Sequence, residues 1–80
     1  MKVKLIAFGI AKDILRGNQT DIEFDQAPTI GEIKEELINQ FSDFAALRSL
    51  KFAVNEDYQN DDFQVSEGDE IVIIPPVSGG

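Results

Sequence analysis

The sequence predicts an α+β fold in which a mixed sheet of four to five strands has one main helix packed across it. Three observations carry that expectation. Side chains alternate with period two near the start of the chain, and an unbroken apolar run lies near its end; both patterns read as strands. Between them lies one segment with apolar residues at helical spacing, opened by a capping signature. The length of 80 residues allows one domain, and a chain of that size buries about 60% of the surface its unfolded form exposes.

From Lys2 to Phe8, Val3, Leu5 and Ala7 fall on one face and Lys2, Lys4, Ile6 and Phe8 on the other, which predicts a central strand. Ile10, Ala11, Ile14 and Leu15 have helical spacing up to Arg16, and Gly17 stands where a helix often ends in the left-handed conformation. Gln19 to Phe24 alternates again, with Thr20, Ile22 and Phe24 opposed to Asp21, Glu23 and Asp25. This is a strand with one wet face, antiparallel to the first.

Thr29 stands three residues before Glu32, the spacing of a reciprocal capping box, which satisfies N–H groups left orphaned at a helix start. Ile30, Ile33, Leu37, Ile38 and Phe41 then share one face, so the main helix runs from about Ile30 to Phe41. Glu32, Glu35 and Glu36 crowd its first half as a solvated face favoured by the helix dipole. Phe44 to Leu47 forms a second short turn, and Lys51 to Val54 a strand with Phe52 and Val54 on one face. Asn55-Glu56-Asp57 is a tight turn, followed by a brief return strand at Tyr58 and Gln59. Val65 to Asp69 turns into Glu70 to Ile74, which is apolar on both faces and reads as a buried strand ended by Pro75 and Pro76. A helix across a small sheet whose first and last strands lie side by side at its centre is the β-grasp arrangement of ubiquitin-like proteins. The expected organisation is one domain over residues 1–80, with 75–80 as an extended C-terminal tail.

The composition excludes much chemistry. There is no His and no Cys, hence no Ser-His or Cys-His nucleophile, no thiolate or imidazole zinc site and no disulfide. Seven Lys and Arg against 15 Asp and Glu give a net charge of −8, which argues against nucleic acid and anionic membranes and for a basic protein partner. The apolar run from Met1 to Phe8 is too short and too interrupted for a signal peptide or a membrane span, so a cytoplasmic location is expected. Charge is uneven: residues 1–20 carry +3, residues 21–80 carry −11, and no basic residue follows Lys51.

Asp57, Gln59 and Asp61 have the spacing of the first ligands of a calcium loop, but Asp62 occupies the glycine position and Gly68 the position of the bidentate Glu. No metal site is therefore expected. The six glycines form neither a dinucleotide nor a phosphate-loop pattern, and Asp61-Asp62 and Asp69-Glu70 lack a predicted pocket for acid–base work.

The C-terminus differs from the rest. A strand hands over to Pro75-Pro76, which favour an extended conformation, and then to Val77-Ser78-Gly79-Gly80. Two glycines without Cβ atoms let such an arm thread a narrow channel and present its terminal carboxylate to another protein's active site.

Gly68-Asp69-Glu70-Ile71-Val72, then Pro75-Pro76-Val77-Ser78-Gly79-Gly80, and more loosely Phe8 with Lys12-Asp13 and Gly17, resemble the small sulfur-carrier subunit of molybdopterin synthase, the MoaD type of the MoaD/ThiS family. Lys12 stands where Arg is common. The resemblance implies a non-catalytic small subunit whose catalytic side chains lie on a large partner subunit, the two forming a heterotetramer. It implies an adenylating, E1-like enzyme that activates the Gly80 carboxylate with ATP, a transient acyl-adenylate and a Gly80 thiocarboxylate, and no permanently bound cofactor. The sulfur would pass to cyclic pyranopterin monophosphate to build the molybdopterin dithiolene. The reacting residue would be Gly80, and Gly79, Ser78, Val77, Pro76, Pro75, Ile74 and Phe8 would contact the partners. Two alternatives share the fold and the terminal Gly-Gly: a thiamine-pathway sulfur carrier, which usually lacks the Pro-Pro-Val lead-in, and a ubiquitin-like protein modifier.

Overall fold

A computed structural model describes residues 1–47 and 50–75. Its five strands are β1 (Lys2–Ala7), β2 (Gln19–Glu23), β3 (Lys51–Val54), β4 (Asp57–Gln59) and β5 (Glu70–Ile74), arranged β2-β1-β5-β3-β4 in one mixed sheet. Two helices, α1 (Gly9–Leu15) and α2 (Ile30–Gln40), and a 3-10 turn at Ser42–Ala46 complete the fold. β1 and β5 run parallel at the centre, with Leu5 opposite Ile71 and Ala7 opposite Ile73. The other neighbouring pairs are antiparallel. This is the β-grasp arrangement expected from the order of elements.

The core lies between one face of the sheet and the helices. Val3, Leu5 and Ala7 of β1, Ile22 of β2, Phe52 and Val54 of β3, and Ile71 and Ile73 of β5 are buried together with Ala11 of α1 and Ile30, Ile33 and Leu37 of α2. Phe44 plugs one end of this cluster and meets Phe41 edge-on, with ring centroids 6.4 Å apart. The capping box forms as expected: Glu32 N donates to Thr29 Oγ1 at 3.2 Å, and Thr29 N donates to the Glu32 carboxylate at 2.8 Å. Backbone bonds from Ile30 N to Phe63 O and from Gly31 N to Asp61 O, both 2.9 Å, tie the start of α2 to the segment after β4.

Two local expectations are corrected. The left-handed residue closing α1 is Arg16, at φ 61°, and Gly17 does not adopt positive φ. The chain must reach β2 by Asn18, whose carbonyl accepts from Ala7 N at 2.9 Å, so the helix ends one residue earlier than the glycine suggests. The second correction concerns β5. Ile71 and Ile73 are buried, but Val72 and Ile74 are only half-buried, because both helices cover the same face of the sheet. The central strand has one dry face and one partly open face.

Candidate functional site

The open face of the sheet is built by alternation. Ile6 of β1 lies opposite Val72 of β5, Val72 opposite Ala53 of β3, and Ala53 opposite Tyr58 of β4. The result is an apolar row across four strands on the side away from the helices. One step nearer the C-terminal end of β5 stand Phe8, which follows β1, and Ile74, with Lys51 of β3 in register beside Ile74. Phe8 is 60% exposed, Tyr58 65% and Ile10 48%. Ile6, Val72, Ile74 and Pro75 are half-buried. On the other side of the apolar row the face becomes charged, with Lys4 between Asp21 and Glu70, and Lys2 opposite Glu23.

This register brings together Phe8, Ile74 and Pro75, three of the residues singled out in the sequence. Phe8 lies outside the core, so its apolar ring is available at the surface. Pro76, Val77, Ser78, Gly79 and Gly80, the rest of the expected contact and reacting residues, lie outside the described residues. The parallel pairing of β1 with β5 places the point from which they depart beside Phe8.

Other residues have no local sequence signal for their place at this surface. Tyr58 reads only as part of a short return strand; Ile10, on α1 and off this face, has helical spacing in the sequence but is exposed in the structure. Ile6 and Val72 have the local pattern of strand residues, and nothing in that pattern marks them as a surface row. The available signal was arithmetical: one main helix and one short helix can cover only one face of a five-stranded sheet, so apolar residues on the other face must meet solvent or a partner.

The Gly68-Asp69-Glu70 motif has a structural task. Asp69 accepts from Ser66 N at 2.7 Å and from Asn55 Nδ2 at 2.9 Å. Asn55 Oδ1 accepts from Glu70 N at 3.0 Å, and Asn55 N donates to Glu70 O at 2.9 Å. Gly68 sits at φ 88°, where a Cβ would be strained. These bonds fasten the β3–β4 turn to the start of β5 and so set the register of the strand that carries the tail. Asp61, tested above as a calcium ligand, pairs with Lys34 at 3.0 Å. Among the described residues no group of three or more carboxylates is arranged to hold a metal ion, and no helix is long and apolar enough to cross a membrane.

Comparison with known proteins agrees with this geometry. The profile of the ThiS family matches residues 5–80. The chain is 30% identical to a molybdopterin synthase sulfur carrier subunit of Arabidopsis thaliana, over 100% of this chain and 84% of the relative. A structure from Helicobacter pylori, a complex of subunits 1 and 2 of molybdopterin-converting factor, contains a chain that superposes with a TM-score of 0.68 at 25% identity, covering 100% of both chains. A Pyrococcus furiosus structure assigned to molybdopterin converting factor subunit 1 superposes with a TM-score of 0.86 at 22% identity, covering 96% of this chain and 99% of that one, and supports the fold.

Proposed function

The chain belongs to the ThiS family, and from that membership we propose that it is the sulfur-carrier subunit of a molybdopterin synthase. The observation that carries this reading is the placement of the tail root: the central strand β5 ends at Ile74 beside the exposed Phe8, and the Pro75-Pro76-Val77-Ser78-Gly79-Gly80 motif follows it. An arm that leaves the middle of a sheet next to an apolar surface suits a protein that docks by that surface and delivers its terminus into a partner.

In this proposal an E1-like enzyme joins the Gly80 carboxylate to the AMP moiety of ATP, releasing pyrophosphate. A sulfur donor then displaces AMP, leaving a thiocarboxylate. The arm enters the large subunit, where the terminal sulfur attacks a side-chain carbon of cyclic pyranopterin monophosphate and displaces its oxygen substituent; water then cleaves the acyl–sulfur bond, which regenerates the Gly80 carboxylate and leaves the sulfur on the precursor. One dithiolene needs two sulfurs and therefore two loaded carriers. Acids and bases come from the large subunit. A cytoplasmic location and a heterotetramer with two copies of each subunit complete the proposal. Phe8, Ile74, Pro75 and residues 76–79 serve docking and passage, and the carrier needs no resident cofactor.

The test is intact-mass analysis after co-expression with the activating enzyme and a sulfur source. The expected product has one oxygen of the last residue replaced by sulfur and passes it to the precursor when the large subunit is added. Deleting Gly80 removes both events and leaves the thermal melt unchanged. A carrier that stays unloaded where a known carrier is loaded refutes the proposal. Transfer to the thiamine-pathway acceptor instead, or conjugates on protein lysines in cell extracts, would support the alternatives.

A further inference from the structure

We infer that Lys51 is a selectivity contact of the docking face, engaging a carboxylate of the partner protein beside the mouth of the channel that admits the tail; this deepens the sulfur-carrier reading and rests on it. The other cations of this face have anionic neighbours in the sheet. Lys2 lies opposite Glu23, and Lys4 lies between Asp21 and Glu70. Away from the face, Lys34 is paired with Asp61.

In the strand register Lys51 has no such neighbour among the described residues, and Asp61, which lines the same depression, is taken by Lys34. On one side it is in register with Ile74. On the other, β4 ends at Gln59, opposite Phe52, and the residue that follows is Asn60. Lys51 is exposed and enters no ion pair among the described residues. Among the described residues, therefore, an ammonium without an ion pair stands at the apolar end of the open face, in the row that holds Phe8 and Ile74, in a chain of net charge −8.

A partner seated on Phe8 and Ile74 removes water from that ammonium. Desolvating an unpaired charge is costly, and a lysine relieves it by extending its stem along the apolar surface until the nitrogen meets a counter-charge at the rim. A surface with a carboxylate at that point is accepted, and one with an apolar or basic group is penalised, which is discrimination by an unfavourable contact. The partner implied is basic overall, to suit the acidic chain, with a local acidic spot facing Lys51.

Lys51 is one strand away from the tail root, about 4.8 Å between strand axes. In this proposal the Lys51 ammonium positions the carrier and takes no part in the chemistry.

The experiment uses the full chain and the large subunit from the same organism. Association is followed for the parent, K51R, K51M and K51E across salt concentrations, and the parent complex is treated with a zero-length carbodiimide before peptide mapping. The expected map joins Lys51 to an Asp or Glu of the large subunit. K51R associates as the parent does, K51M more slowly, and K51E slower by about tenfold at low salt, a gap that closes toward about 1 M, where the Debye length is ~3 Å. A parent that binds while K51E matches its rate and salt dependence overturns the inference and leaves the carrier reading standing. A parent that does not bind the large subunit overturns both.

Discussion

Replacing Asp69 with Ala removes two hydrogen bonds at once. Its carboxylate holds Ser66 N at 2.7 Å and Asn55 Nδ2 at 2.9 Å, and Asn55 in turn holds Glu70 N. The site is partly exposed, so water replaces some of what is lost, and the bonds are charge-assisted; together they contribute about 1–2 kcal/mol. For a domain of this size that corresponds to a fall in melting temperature of roughly 5–15 °C. The assay is urea unfolding with thermal denaturation followed by circular dichroism, on D69A and on D69N, which retains one acceptor and should recover part of the loss. Below the melting transition, thiocarboxylate loading of D69A should match the parent, because the carboxylate acts through the register of β5 and not on the tail. A D69A protein that melts within ~2 °C of the parent refutes the structural role. A stable D69A that cannot be loaded would instead make Asp69 a contact of the activating enzyme.

Two further outcomes are expected. Phe8→Asp should abolish association with the large subunit while shifting unfolding by no more than about 0.5 kcal/mol, since the ring is 60% exposed; a collapsed melt with retained binding would return Phe8 to the core. Glu56→Gly should stabilise the protein by about 0.5–1 kcal/mol in urea unfolding, because Asn55 and Glu56 occupy the two-residue β3–β4 turn at φ 50° and 79°, where Asn-Gly is preferred; an unchanged or lower midpoint would show that Glu56 makes compensating contacts.

The elements that could be read from sequence are those in which local chemistry and tertiary placement agree. Thr29 and Glu32 start α2 through their own side chains, so two residues at the right spacing suffice to locate it. Val3, Leu5 and Ala7 alternate against lysines, and all three are buried. The misreadings arise where a neighbour decides. β5 has apolar residues at Val72 and Ile74 as well as Ile71 and Ile73, and a run without alternation does not report that one face lacks a helix. Arg16 takes the left-handed position beside an available Gly17 because Asn18 must pair with Ala7 across the sheet. For the candidate site, Phe8, Ile74 and Pro75 were named from the sequence, whereas Ile6, Val72 and Tyr58 join them only through strand order. β1 and β4 are separated by β5 and β3, an adjacency that no local pattern encodes.

The central position of β5 has a mechanical consequence. The strand is clamped by hydrogen bonds to β1 on one side and β3 on the other, and the chain continues directly from its last residue into the tail. Tension applied along the tail loads those two ladders in shear, with many bonds resisting together, instead of peeling them one at a time as it would at a sheet edge. A partner can therefore grip and draw the C-terminus without unravelling the domain. Under the proposed function, the domain stays folded while its terminus is handed from the activating enzyme to the large subunit.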